Sequence, residues 1–171
     1  ALAALEGDLE LATGIEQRHM ELAVEEARKS ASEDSRPHPK VGVVVVKDGI
    51  VMASAYRGQL GPGEHAEFTA LEKILKDQSI AGATIYTTLE PCTTRNHPKV
   101  PCVQRLIERR VARVVIGMLD PDSRISGQGV TALRDAGIGV DLFPDQLKSQ
   151  IEELNREFRR DADSRRAEPR T

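Results

Sequence analysis

Residues 41–46 read VGVVVV, five valines and a glycine with no polar residue to mark a solvent face. A β-branched run of this kind suits extended chain, and a strand without polar alternation has to be covered on both sides. The sheet that contains it therefore needs other elements packed on each face, and the rest of the sequence offers them in order. Thr13-Gly14-Ile15-Glu16 has capping-box form and predicts a helix to about Ser30, with Met20, Ala23, Val24 and Ala27 on its apolar side. Lys47-Asp48-Gly49 predicts a turn, and residues 50–55 its hairpin partner. A helix over 64–77 places Ala66, Ala70, Leu71, Ile74 and Leu75 at core spacing; Gly82 separates it from a strand over 83–89. Pro91 predicts a short helix beginning near Cys92.

Alternation continues with a helix over 102–110, a strand over 112–117, a helix over 130–136 closed by Gly137, and a strand over 138–143. The last helix starts at Asp145 and carries Leu147, Ile151, Leu154 and Phe158. A helical crossover makes the final strand pair parallel. The expected fold is α/β, a three-layer α/β/α sandwich on a mixed five-stranded sheet. One domain is expected over 13–160, preceded by a flexible segment over 1–12 and followed by a disordered tail over 161–171 that lacks apolar anchors. The functional crevice is expected at the carboxyl ends of the strands, where the loops at 89–92 and 118–122 emerge.

No apolar run is long enough to span a bilayer, and Glu6, Asp8 and Glu10 give the N-terminal stretch the wrong charge for a secretory signal. The expected compartment is the cytoplasm. A net charge of −3 gives no global attraction to nucleic acid. The only two cysteines, Cys92 and Cys102, each follow a proline and have nine residues between them. They read as a disulfide, as an incidental pair of small buried residues, or as two ligands of a metal. A reducing compartment disfavours the first.

His65 and Glu67 supply the partners that favour the third. One imidazole and two thiolates form a donor set that zinc takes in tetrahedral sites. Three protein ligands leave one position for water, whose pKa zinc can lower from 15.7 to about 7. Glu67, two residues from His65, is placed to move that water's proton without being a ligand. H-x-E followed by P-C and a second cysteine is the pattern of zinc deaminases, although there the cysteines are two apart. Two alternatives stand beside it. His65 and Glu67 are also compatible with ordinary first-turn helix residues. His97, between the cysteines, could supply a fourth ligand and close the site into a non-catalytic structural zinc module.

The chain resembles the cytidine-deaminase superfamily, and within it the deaminase domain of the riboflavin-biosynthesis pyrimidine deaminase/reductase family. The similar segments are PHPKVGVVVVKDG, HAEFTAL, TTLEPC, GMLDPDSRISGQGVTALRDAGIGV and ELNREF. The resemblance implies one zinc per chain held by His65, Cys92 and Cys102, with Glu67 as proton shuttle. It also implies that backbone near Ala66 and the Glu90-Pro91 turn lines the pocket. The chain departs from that family at His38, where the family has Asn, and over 93–101, a rewritten loop one residue longer. These positions are expected to read the substrate, so a riboflavin-pathway substrate does not follow from the match.

His38, Arg95, His97 and Lys99 are expected either to form a cationic rim for a substrate phosphate or to be polar merely as loop residues. Tyr56 is the best stacking residue in a chain with two Tyr, three Phe and no Trp. Asp120 and Asp122 read as turn residues on the crevice loop. Arg109, Arg110 and Arg113 read as a solvent-facing helix C-terminal cluster. The expected activity is hydrolytic replacement of an exocyclic amine by a carbonyl on a pyrimidine-type nucleotide or nucleoside-like small molecule. A deaminase of single-stranded DNA or RNA is the alternative within the enzyme class. It needs a basic channel and stacking aromatics. Assembly as a homo-oligomer is a further expectation.

Overall fold

The computed structural model describes residues 2–31, 33–96 and 98–165, with side chains from residue 13 to residue 164. Five strands form one sheet: β1 (Gly42–Lys47), β2 (Ile50–Tyr56), β3 (Thr84–Leu89), β4 (Arg113–Met118) and β5 (Gly139–Leu142), in the order β2-β1-β3-β4-β5. β1 pairs antiparallel with both β2 and β3, whereas β3–β4 and β4–β5 are parallel. The sheet is mixed, as the sequence pattern implied.

β1 shows why its valines are unbroken. Val43 and Val45 join a core with Ile85, Val114 and Ile116 against one helical layer. That layer comprises α2 (Ala66–Phe68), which continues as a π-helical stretch over Thr69–Ile74, together with α3 (Cys102–Glu108) and α4 (Gln128–Asp135). Val44 and Val46 point the other way, into a second core with Tyr86, Val115, Phe143, Leu147 and Ile151. There the cover is α1 (Leu2–Arg28) and α5 (Asp145–Leu154). Four consecutive valines thus serve two cores, because successive side chains of a strand face opposite sides.

Gly42 permits the approach of α1. A Cβ there would lie 2.0 Å from the Ala23 carbonyl oxygen and 2.5 Å from the Ala27 nitrogen. The strand start is also fastened by side chains: Thr88 Oγ1 accepts the Gly42 N–H at 3.1 Å, and Ser30 Oγ accepts that of Val41 at 3.3 Å.

Four local expectations change. α1 begins at Leu2, so Thr13 lies inside the helix and is no cap. Glu16 instead turns inward, accepting the Tyr86 hydroxyl at 3.1 Å and pairing with Arg113, which also holds Asp141 at 2.6 Å. Arg109 caps another helix: it donates to the carbonyls of Leu71, Leu75 and Gln78. No helix forms at Cys92; the next helix, α3, starts at Cys102. The last helix breaks at Asn155 and resumes as α6 (Arg156–Arg165), which takes in the first residues of the expected tail; residues 166–171 lie outside the described residues.

Asn155 makes the break useful. Its amide accepts the Lys40 N–H at 2.7 Å and donates to the Lys40 carbonyl at 3.3 Å, tying the 37–41 segment to the α5–α6 junction.

The contact at Gly42 generates a stability prediction. Gly42→Ala should lower unfolding free energy by at least about 2 kcal/mol, since the new methyl meets helix backbone that cannot rotate away. Urea unfolding measures it; a change under about 0.5 kcal/mol, the usual surface value, would contradict the packing described.

Candidate active site

His65 is the N-cap of α2, with φ −66° and ψ 145°, an extended conformation, and its side chain makes no capping hydrogen bond. Cys92 follows the Glu90-Pro91 turn after β3, and Cys102 is the first residue of α3, behind Pro101. Sequence neighbours of two helix starts and one strand end thus converge at the carboxyl edge of the sheet. The His65 Nδ1 lies 3.3 Å from Cys102 Sγ and 3.9 Å from Cys92 Sγ, and the three donor atoms lie within 4.8 Å of one another. Both cysteines are free.

A zinc ion with bonds of 2.0–2.3 Å to tetrahedral nitrogen and sulfur ligands separates those atoms by roughly 3.5–3.8 Å. The observed spacings bracket that value, and the donor set is one zinc favours. The residues fit the metal.

Electrostatics already favour one thiolate. Cys92 is pushed down to about 4 by the Cys102 thiol, with further help from the His65 ring and the Cys102 backbone N–H, against an opposing penalty from burial. That N–H donates to Cys92 Sγ at 3.3 Å. The helix amide that serves Cys92 therefore comes from α3, not from a helix of its own. Cys102 is pushed well up by its bond to Cys92 and by burial.

Glu67 is buried one helical position beyond Ala66, its carboxylate 3.6 Å from Cys102 Sγ and 3.4 Å from Thr87 Oγ1. Burial pushes its carboxyl up, the His65 ring opposes, and Cys92 adds to the rise. The π-helical stretch follows directly, an irregularity frequent at functional sites.

A chamber of about 130 Å³ opens beside these groups, lined by Pro39, Val41, Arg57, His65, Ala66, Glu67, Leu89, Glu90, Cys92, Asp120 and Phe158. A cavity of about 150 Å³ holds one benzene, so the chamber is sized for a single six-membered ring. A wider groove of about 740 Å³ shares His65 and Arg57 with it and is lined by His38, Arg36, Arg95 and Lys99 as well as Glu33 and Asp34.

The residues expected to bind substrate divide three ways. Ala66 and Glu90 line the chamber, while His38 and Arg95 line the groove. Glu90 has its side chain committed elsewhere: its carboxylate accepts the backbone N–H groups of Asp120, Gly127 and Val130 at 3.0–3.1 Å. Tyr56 lines neither space; its ring lies under the Lys29 ammonium at 5.9 Å. His97 lies outside the described residues. Of the crevice-loop acids, Asp122 accepts from Arg124 backbone and guanidinium, and Asp120 accepts the Asp122 N–H, as turn residues do.

Phe158 and Arg57 were not anticipated at the site. Read as one continuous helix, residues 145–158 put Phe158 on the α5 core stripe; the break at Asn155 turns it into the chamber instead. The ELNREF segment was the available signal, since an Asn within a helical run favours a stop.

A family model described as the cytidine and deoxycytidylate deaminase zinc-binding region matches residues 14–118. The chain belongs to that family. It is 39% identical over 144 residues to the riboflavin biosynthesis protein RibD of Aquifex aeolicus, covering 84% of this chain and 38% of that protein. It is 36% identical over 127 residues to the diaminohydroxyphosphoribosylamino-pyrimidine deaminase of Schizosaccharomyces pombe, covering 72% of this chain and 31% of the other. The chain thus spans about a third to two fifths of these curated relatives. Among solved structures, Acinetobacter baumannii RibD superposes with a TM-score of 0.74 at 32% identity, over 87% of this chain and 40% of that one.

Because the Glu90 carboxylate satisfies three backbone amides, Glu90→Ala should cost more than about 2 kcal/mol in urea unfolding. A variant with parent stability and a raised KM would instead make Glu90 a substrate ligand.

Proposed function

We propose that the chain is a zinc-dependent hydrolytic deaminase, with His65, Cys92 and Cys102 as ligands and Glu67 as the proton-transfer residue. The observation that carries this reading is the Glu67 carboxylate, buried against the three metal donors at the wall of a one-ring chamber. Bound there, zinc would supply a water-derived nucleophile at neutral pH. Glu67 takes up one proton of the attacking water and passes it to the ring nitrogen, then takes the second from the new hydroxyl as it becomes the carbonyl and gives it to the departing amine, which leaves as ammonia. Burial suits the carboxyl to this task by strengthening it as a base. Thr87 steadies it through the hydroxyl at 3.4 Å.

The substrate we infer is a phosphorylated aminopyrimidine of the kind named for the fission-yeast relative, with cytidine nucleotides as the second class to test. The groove supports a phosphate. Its acids are already matched, Glu33 with Arg57 and His38, and Asp34 with Arg36 and His38. Arg95 and Lys99 have no ion pair among the described residues, so their charge is available to an anion. A polynucleotide substrate is less well supported, since Phe158 is the one Phe, Tyr or Trp lining the described chamber and groove. A cytoplasmic, reducing compartment fits two free thiols that serve as ligands.

Glu67→Gln should retain one zinc per chain and lose about 10²- to 10⁴-fold in kcat, measured by mass-resolved detection of the deaminated product. Full activity in that variant would remove Glu67 from the proton transfer, whereas no product from the zinc-loaded parent would favour the non-catalytic module. Arg95→Ala should raise KM for the phosphorylated substrate while sparing its dephosphorylated form. An equal effect on the two would return Arg95 to being a loop residue.

A further inference from the structure

Among the described residues, Arg57 is the one Arg or Lys that lines both the inner chamber and the outer groove. It follows the last residue of β2 and is largely withdrawn from solvent, its side chain 12% exposed. Glu33 grips it from the facing loop: Nε donates to Oε1 at 3.1 Å and Nη2 to Oε2 at 3.4 Å. Glu33, itself 11% exposed, also stands 3.5 Å from His38 Nδ1. Burial would push its carboxyl up, but the Gly63 N–H and the Arg57 guanidinium together hold it below its ordinary value. A guanidinium has five N–H donors. Two are used here, and Nη1 has no partner among the described residues.

Resting on the deaminase reading above, we propose that Arg57 is a specificity-determining residue that donates its spare N–H groups to a neutral acceptor oxygen of the substrate, on the ring or on the group attached to it, and that Glu33 is its positioning residue. Position argues for this acceptor, because Arg57 stands where the chamber gives way to the groove and therefore where a ring meets its substituent. Charge argues against a phosphate at this spot. The Arg57 charge is already balanced by a carboxylate on two hydrogen bonds, whereas Arg95 and Lys99 line the groove and make no ion pair among the described residues. A planar fork locked at two corners presents the others in a fixed direction, which suits geometric discrimination more than attraction.

The test uses zinc-loaded full chain with two probes, the phosphoribosylaminopyrimidine and its dephosphorylated form. Turnover is measured, together with calorimetric binding in the Glu67→Gln background. Arg57→Ala should raise KM or Kd about 10- to 100-fold for both probes alike, leaving kcat and zinc content near parent values. Arg57→Lys keeps the charge opposite Glu33 but not the spare fork, so it should keep the unfolding midpoint and still bind more weakly than the parent. Glu33→Gln should weaken binding too, and add little to Arg57→Ala in a double-mutant cycle, which an independent structural role would not reproduce. A parent-like Kd in Arg57→Lys, or a loss confined to the phosphorylated probe, overturns the assignment. If the parent binds the probes without turning them over, the deaminase reading fails while the Arg57 variants still decide this one. If the parent binds neither probe, the Arg57 assignment fails, and turnover of cytidine nucleotides decides the deaminase reading.

Discussion

Two sulfurs and an imidazole lie within 4.8 Å of one another, and most of the local architecture follows from holding them there. Each comes from a different stretch of chain, so none can be placed by its neighbours in sequence. The imidazole is set by an extended N-cap, one sulfur by a turn leaving β3, the other by the first residue of α3. Bringing thiolate character and a buried carboxylate into one small volume opposes folding unless a cation compensates it. The site is therefore intelligible as a metal site first and as anything else second.

Support comes from groups that make no contact with the ligand atoms. Glu90 collects three amides of the 120–130 loop, and α4 closes on the same turn at Gly129, where a Cβ would meet the Pro91 carbonyl oxygen at 2.4 Å. Gly117 plays the equivalent part within β4, where a Cβ would lie 2.7 Å from the Thr88 carbonyl oxygen. The turn that presents Cys92 is thus gripped by close backbone approach on two sides. Asn155 does the same for the opposite wall, pairing with Lys40 and turning Phe158 inward. A site built this way has rigid walls and a chamber shaped for one ring.

The succession of helices and strands, the parallel last pair, the two-faced β1 and the metal-ligating residue types could be read from the chain because they depend on local periodicity and donor chemistry. The apolar stripes of α1, α2 and α5 were legible for the same reason. What escaped was decided by contacts between distant segments. Glu90 lines the chamber as expected, but the three amide partners that occupy its carboxylate, 30 to 40 positions away, could not be read from the chain. Tyr56 and Arg57 are adjacent, yet the strand's alternation and the Glu33 pair send only the second to the chamber. Phe158 kept helical spacing with Leu154 on paper, and one asparagine satisfying a remote backbone redirected it.

The most direct measurement is X-ray absorption at the zinc edge of the metal-loaded chain. The account predicts two sulfur ligands at about 2.3 Å, a single imidazole nitrogen at about 2.0–2.1 Å, and one light oxygen ligand completing a tetrahedron. A second imidazole in place of that oxygen would mean a closed site with no room for the reacting water, and would contradict the assignment of this chamber to catalysis.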